Sequence, residues 1–447
     1  FWVSISEEKK KQINKALELL GLEKPPADWG EYREALEAEG IKFTKPVEES
    51  RNMKVLEALV REVSEKAGLK VKMTSADEDA KVSTRDEVIE DLEPHSPVLA
   101  QYGHRQRLQK LVTTEFECAQ FAGVPAERVH FNFNALVETG RTSSYGGGKR
   151  PLYPTRNGQN VDPRARPSFV ADPNKLLASL DYSGMELFTT AQTAIRVFGR
   201  SRMAELINSG VDLHAYLGAQ IALRMHDQFR ELAHSRGLTD DPMALYLAFL
   251  ECKSSKDEAV KDFFKHYRKF AKPTNLGYPG GLGPKKFVQY AKATYGVICT
   301  LAQAEELREV WRATFPEVKA LHEHLGAEMK DGNNPVRWDE DDEREIQPFC
   351  YMSQLGMHRA NASYCAAANG WMMQTPGAEG AKWAMFLVQR ECDRDDGPLA
   401  GCWVLDFIHD ELLMQTSTDD IVKANEQVRA AQRIMEAANQ SYCPDVL

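Results

Sequence analysis

The chain has 447 residues, enough for one large multi-lobed enzyme or for two to three ordinary domains, and its 43% hydrophobic content is that of a soluble globular protein. A net charge of −10 gives no global footprint for nucleic acid, so any such binding needs local basic patches. The eight cysteines are scattered without a C-x-x-C pair, which reads as free thiols in a reducing cytosol rather than a zinc site or disulfide frame.

No signal peptide opens the chain, and no apolar run approaches the roughly 18 residues of a membrane-spanning helix. It begins at Phe1 rather than Met, which implies a cut or processed N-terminus. The first 115 residues read as mostly helical: Ile13, Leu17 and Leu20 form one apolar stripe, and Met53, Leu56, Leu59, Val60 and Val63 form another. Ser83-Thr84-Arg85-Asp86-Glu87 has the pattern of a helix start, a capping hydroxyl followed by early acids. A long helix is expected from about Pro97 to Phe121; its His104, Arg105, Arg107 and Lys110 read either as a solvated face or as an arm that grips a phosphate backbone.

Glu138-Thr139-Gly140-Arg141-Thr142-Ser143-Ser144 comes next, followed by a Gly/Pro-rich loop from Tyr145 to Pro167. Lys149, Arg150, Arg156, Arg164 and Arg166 make that loop the strongest basic patch in an acidic chain, with Asn157-Gly158-Gln159-Asn160 at its centre. Such a patch can reach phosphates, sugars and base edges, or it can be a flexible basic loop. Leu176 to Leu180 then reads as a buried strand ending at Asp181-Tyr182-Ser183-Gly184-Met185-Glu186, an acid at the C-terminal end of an apolar strand.

Residues 187 to about 345 read mainly as helices. In Lys265-His266-Tyr267-Arg268-Lys269-Phe270-Ala271-Lys272, the cations Lys265, Arg268 and Lys272 fall on one helical face. That stripe suits a string of phosphates, or simply a solvated face. Pro273 and the run Gly277, Pro279, Gly280, Gly281, Gly283 and Pro284 form a jointed connection able to hinge a lobe. Asp339 to Glu345 reads as a solvated acidic loop. Finally, Trp403 to Phe407 and Leu412 to Met414 are strand-like arms around His409-Asp410-Glu411. Adjacent carboxylates at a strand–turn–strand tip repel and call for cations, and Mg²⁺ takes such oxygen ligands. Alone the tip reads as a charged hairpin turn or as a metal site; Asp181 in the same context makes a two-metal phosphoryl-transfer site plausible.

Together these motifs resemble the family A DNA polymerases, the DNA polymerase I type, with the best local match to phage-encoded members. The resemblance covers roughly residues 80 to 440 in collinear order. Thr139-Gly140-Arg141-Thr142-Ser143-Ser144 with Asn157-x-Gln159-Asn160 is similar to the family's T-G-R segment, and Asp181-Tyr182-Ser183-x-x-Glu186 to motif A. Arg268-x-x-x-Lys272-x-x-Asn275-x-Gly277 resembles motif B, Gln374 with Gly380-Ala381-Lys382 the segment before the last hairpin, and His409-Asp410-Glu411 motif C.

What the resemblance implies is an α+β right-hand polymerase fold: a palm with an antiparallel sheet, helical fingers and a helical thumb. Residues 1–50 would be an N-terminal helical segment, 51–120 the thumb, 121–190 and 351–447 the palm, and 191–350 the fingers. Asp181, Asp410 and the Tyr182 carbonyl would hold two Mg²⁺ ions, with Glu411 an accessory acid. Arg268, Lys272, His214, Glu186 and Leu276 would meet the incoming dNTP, Glu186 as steric gate and Lys272 also as proton donor to the leaving pyrophosphate. Arg141, Asn160, Gln374, His409 and Arg359 would touch primer-template DNA. The activity implied is a Mg²⁺-dependent, DNA-directed DNA polymerase serving phage genome replication in the cytoplasm of an infected host, as a monomer working with accessory replication proteins and no membrane.

Three departures stand out. Leu276 replaces the family's aromatic, Gly280 its Tyr, and Gly184 its Gln. Pro273 stands where the fingers helix normally continues, so the helix is expected to end or kink near Lys272, with Tyr278 supplying the missing ring. Asn369 is one residue out of register with the family's Asn before Gln374. No acidic triad for a proofreading nuclease is evident upstream of residue 80. The competing readings are a single-subunit RNA polymerase, which Glu186 and Glu411 argue against, a two-metal nuclease, which needs more clustered carboxylates, and a polymerase-fold nucleic-acid-binding protein that is weak or inactive in catalysis.

Overall fold

The computed structural model describes residues 47–69, 71–74, 81–110, 120–121, 124–125, 129–145, 155–162, 164–339, 344–353 and 356–446. The apolar stripe of Ile13, Leu17 and Leu20, with the rest of the first 46 residues, lies outside them, as do Lys149 and Arg150. The chain divides into two compact units, Phe1–Lys110 and Leu111–Leu447.

In the first unit, helices α1 (Val47–Lys66), α2 (Asp86–Leu92) and α3 (Pro97–Lys110) share one small core. Leu56, Val60 and Val63 of the expected stripe are buried there with Val88, Ile89, Leu92 and Leu99, while Met53 is exposed. The capping hydroxyl is not used: Arg85 is the N-cap residue of α2 and makes no side-chain cap bond. Ser83 is buried, and its N–H bonds to the Lys72 carbonyl, so the segment is spent on the Met73–Val82 bridge instead. The helix from Pro97 ends its described course at Lys110, and Gln120–Phe121 are a strand, β1, paired with β2 (Val124–Pro125). Arg107 is held by Glu93 at 2.7 Å, which removes one cation from the supposed backbone-gripping set.

The second unit carries a run of nine helices among its described residues: α4 (Met185–Phe198), α5 (Arg202–Asn208), α6 (Leu213–Met225), α7 (Asp227–Ser235), α8 (Pro242–Lys253), α9 (Glu258–Gly277), α10 (Pro284–Tyr295), α11 (Leu301–Thr314) and α12 (Pro316–Glu328). Their core includes Tyr216, Phe249, Phe287, Trp311 and Phe315. α9 is unbroken through Pro273, contrary to the expected end at Lys272. A proline in a helix interior costs about 3 kcal/mol. Here Pro273, Thr274 and Asn275 are buried, the Thr274 hydroxyl donates to Phe270 O at 2.7 Å, and Asn275 Nδ2 donates to Leu213 O of α6 at 3.2 Å. Packing on α6 outweighs the local penalty.

The sheet that matters most has strand order β11 (Trp403–Ile408), β12 (Glu411–Gln415), β6 (Leu177–Asp181), all antiparallel. β6 pairs on one side only, so of its residues Leu180 alone is buried; the expected buried strand is an edge strand. Leu180, Phe407, Leu412 and Met414 pack with α14 (Thr375–Cys392) and α15 (Ile421–Tyr442) through Ala381, Ala384, Val388, Ala431 and Met435. The ends of the acidic run are paired strands, β7 (Arg337–Asp339) with β8 (Arg344–Ile346), while residues 340–343 between them lie outside the described residues. β9 (Phe349–Met352) and β10 (His358–Ala362) form another hairpin, and α13 (Tyr364–Ala368) leads through a π-turn, Asn369–Gln374, into α14. Among the described residues no helix is long and apolar enough to cross a membrane.

A second small sheet, β4 (Ser143–Tyr145), β3 (His130–Asn134), β5 (Thr155–Arg156), is joined to the first through the turn Gly158–Asn160. Gln159 is buried; its Nε2 donates to Thr142 Oγ1 at 2.7 Å and to the Phe407 carbonyl at 3.1 Å, and its Oε1 accepts from Ser144 N. Gln159, held by the Thr142 hydroxyl and the Ser144 amide, thus clamps β11 two residues before the His409–Asp410 turn. Gly158 admits no larger residue, because a Cβ would lie 2.6 Å from Asp406 Oδ2 and 2.8 Å from the Phe131 ring. Gly158→Ala is therefore expected to lower stability by about 1–3 kcal/mol, read as a reduced urea midpoint at unchanged slope.

Candidate active site

Strand pairing assembles the acidic end of the site. In the β6–β12 register Glu411 lies directly opposite Asp181, and Asp410 precedes Glu411 at the turn. The turn is tight because His409 adopts a left-handed backbone, φ 62°. Ser179 donates its hydroxyl to Glu411 Oε1 at 2.5 Å. Burial, then the charge of Asp181, pushes the Asp410 carboxyl up to about 6, with Arg141 opposing. Burial and the neighbouring Glu411 also raise Asp181. Burial, then Arg141, lowers His409, whose Nδ1 is buried without a partner.

A cavity of about 620 Å³ opens beside this tip. Seven of the expected site residues line it, Arg141, Glu186, His214, Lys272, Leu276, Gln374 and Asp410, and Arg268 does not. His409 joins Arg141, Glu186, Gln374 and Asp410 along a narrower adjoining crevice. Asp181 and Tyr182 instead border a separate hollow of about 310 Å³ against α15, where Tyr182 donates its hydroxyl to Met435 O at 2.6 Å. Arg141 is ion-paired with Glu186.

Phosphate-binding candidates come from α6 and α9, which pack together. Asp212 caps α6, its Oδ1 accepting from His214 N at 2.9 Å and Ala215 N at 3.1 Å, while its Oδ2 accepts from Arg268 Nε at 2.9 Å. Burial works to raise Asp212, but the Ala215 amide and the Arg268 guanidinium hold it below the usual carboxylate range. Lys272, one turn on from Arg268, faces the cavity. Lys265 does not; it pairs with Asp262 at 3.0 Å. His214 is pushed down to about 4 by burial, against the pull of Asp212 and helped by Arg268 and Lys272, so it is neutral at pH 7. Asn275 Nδ2 lies 3.2 Å from its Nδ1, which makes Nδ1 the acceptor and Nε2 the protonated nitrogen.

Several expectations fall elsewhere. Tyr278 is not at the cavity: it is 2% exposed, stacked on Phe287 at 4.4 Å and 12°, with its hydroxyl donated to the Ala304 carbonyl. Asn160 is exposed beyond the Gln159 clamp, and Arg359 donates to Val137 O at 2.5 Å, away from the cavity. Arg164 is tied to Asp162 through Nε at 3.0 Å and an Nη at 2.8 Å, so it adds little free charge to the basic loop. Asn369 does line the cavity despite its offset, because the π-turn from Asn369 to Gln374 takes up an extra residue. Sequence reasoning missed Tyr290 and Tyr295, both on the cavity wall. Their only signal was their place after the glycine-rich joint.

Among the described residues no cluster of three or more His, Cys, Asp or Glu side chains is arranged to hold a metal. Asp181 and Asp410 with the Tyr182 carbonyl nevertheless fit Mg²⁺, which binds through one or two carboxylates and completes its shell with water and substrate phosphate. Burial first and mutual repulsion second raise Asp410 and Asp181, and a bound cation would oppose both effects.

His214 has a consequence for stability. Its folded value lies below its unfolded one, so the unfolded chain takes up the proton first and stability is lost as pH falls from about 6.5 toward 4. Denaturant titrations should show His214→Gln less sensitive than the parent over that window, by up to roughly 3 kcal/mol.

The family described as "DNA polymerase family A" matches residues 27–235. Among curated proteins, DNA polymerase I of Aquifex aeolicus (strain VF5) is 22% identical over 369 residues, covering 82% of this chain and 51% of that protein. Among solved structures, the POL domain of Pol1 from M. smegmatis, in complex with DNA primer-template and dNTP, aligns with a TM-score of 0.54 at 18% identity, over 96% of this chain and 61% of that one. The chain therefore spans about half the length of the curated relative. The structural likeness establishes the fold, an α+β polymerase fold.

Proposed function

We propose that this chain, a relative of the family A DNA polymerases, is a template-directed DNA polymerase that adds dNTPs to a primer 3′-hydroxyl and releases pyrophosphate. The observation that carries the reading is the shared cavity. It brings Asp410, from the acidic hairpin, to the same space as Lys272 and His214, from the paired helices α6 and α9. A triphosphate needs positive and hydrogen-bond-donating groups along its length and a metal-binding carboxylate at its reacting end; Lys272 and neutral His214 would serve the first need and Asp410 the second.

In this reading Asp181, Asp410 and the Tyr182 carbonyl would hold two Mg²⁺ ions, which, when bound, lower the pKa of the attacking hydroxyl and stabilise the departing pyrophosphate. The chain's own groups do the rest. Arg268, fixed by Asp212, and neutral His214, donating from Nε2, bind phosphate oxygens. Lys272 carries a transferable proton on a flexible stem and delivers it to the leaving group. Glu186 meets the sugar, Leu276 the base, and Gln374, His409 and Arg141 the primer end, where minor-groove acceptors report pair geometry without sequence. Glu411, bound by Ser179, acts as an accessory acid. Residues 51–120 would serve as thumb, 191–350 as fingers, and 121–190 with 351–447 as palm. Asn160, exposed, would touch the template directly, and Arg359 would act through the Val137 segment it holds. Replication of a phage genome in the cytoplasm of an infected host is the biological setting the motif resemblance favours.

Primer extension on a primed DNA template tests the reading. The parent should extend with dNTPs and Mg²⁺, and Asp410→Ala should lose roughly 10³-fold or more in rate at unchanged primer-template affinity, since it removes a contact that matters most in the transition state. Tight DNA binding with no extension by the parent would instead identify a polymerase-fold binding protein. DNA affinity itself should fall linearly in log–log terms with salt, as phosphate contacts require.

A further inference from the structure

The polymerase reading leaves one wall of the cavity unexplained. α9 contributes Lys272, Leu276 and Gly277 there, and no aromatic ring. Gly280, beyond the helix end, has no room for a side chain: the space a Cβ would take is filled by the Asn369 amide, whose Nδ2 also donates to Gly280 O at 3.2 Å. The rings on this wall come from the next helix. Tyr290 and Tyr295, near the end of α10, both line the cavity.

Three observations fix how they stand. The Tyr290 ring lies over Gly277, where a Cβ would come within 3.0 Å of its Cε1. Tyr290 and Tyr295 meet edge to face at 5.6 Å and 71°, and the Tyr290 hydroxyl donates to that of Tyr295 at 3.4 Å. Both hydroxyls lie within electrostatic reach of the Arg141–Glu186 ion pair: burial chiefly raises each tyrosine, with Glu186 adding and Arg141 opposing. A half-buried carboxylate engaged by a guanidinium thus shares one cavity with a braced pair of phenols.

We propose that Tyr290 and Tyr295 are specificity-determining residues for the sugar of the incoming nucleotide, holding Glu186 where a ribose 2′-hydroxyl would have to go. The inference rests on the polymerase reading and deepens it. A deoxyribose presents C–H to this corner and packs against the ring of Tyr290. A ribose presents a hydroxyl that must shed water and displace Glu186, which is anchored by Arg141 and walled in by the two phenols. Without the phenols the carboxylate has space to swing aside, and the barrier to ribose falls.

The test compares the parent with Tyr290→Phe, Tyr295→Phe and Tyr290→Leu in single-nucleotide insertion, reading kcat/KM for a dNTP and for the matching rNTP. The expected result is a fall of about tenfold in the dNTP-over-rNTP ratio for Tyr290→Phe, and a larger one for Tyr290→Leu with a raised dNTP KM. A ratio unchanged in both Tyr290 variants, in protein that still extends primers with dNTPs, overturns the inference and leaves the polymerase reading intact. If the parent inserts nothing, the polymerase reading fails. Equilibrium binding of dATP and ATP with Mg²⁺, on dideoxy-terminated primer-template, then decides the inference without turnover. A preference for dATP that Tyr290→Phe erases supports it, and equal binding of both by parent and variant overturns it.

Discussion

Repulsion among three carboxylates at adjoining strand ends is the constraint around which the second unit is built. Asp181 and Glu411 are cross-strand partners, and Asp410 is next to Glu411 in the chain. Like charges in that position are destabilising unless countered. Part of the counterweight is within the protein: Ser179 takes one oxygen of Glu411, and Arg141 opposes the rise of Asp410. The rest of the support is mechanical. Gln159 holds the Phe407 carbonyl, and the alanines of α14 and α15 press on the hidden face of the sheet. A hairpin so braced keeps its charges together.

What the sequence made legible was local. β11, the turn and β12 followed from apolar arms around three polar residues, and Asp181 from its place at the end of an apolar strand. Helical spacing put Arg268 and Lys272 on one face of α9 but equally put Lys265 there, and only the motif resemblance separated them. What escaped was decided by residues far away in the chain. The rule that proline ends a helix was overridden at Pro273 by packing on α6. The ring of Tyr278 was claimed by Phe287 and the Ala304 carbonyl, which no pattern around position 278 announces. Asn369 looked displaced by one residue because spacing along a sequence assumes an α-helix, and this stretch is a π-turn. One miss was avoidable. Asp162-x-Arg164 places an acid two residues from the arginine, within reach of the fork it now grips.

The cations of α9 divide into fixed and mobile charge: Lys272 lines the cavity, and Arg268, one turn earlier, lies behind it on Asp212. Asp212 ends the backbone of α6, anchors Arg268 and lies beside His214, so that one carboxylate orients a cation and a neutral donor together. Arg268 is thereby a preset fork with little freedom to lose on binding phosphate. Lys272 has no such anchor: among the described residues no ion pair holds it, and its ammonium is reached through four rotatable carbons. A group that only binds gains from being fixed, whereas a group that must hand over a proton has to follow the oxygen that receives it as the bond to phosphorus lengthens. The contrast between a tethered arginine and an untethered lysine, one helical turn apart on the same face, is the division of labour that the proposed phosphoryl transfer would use.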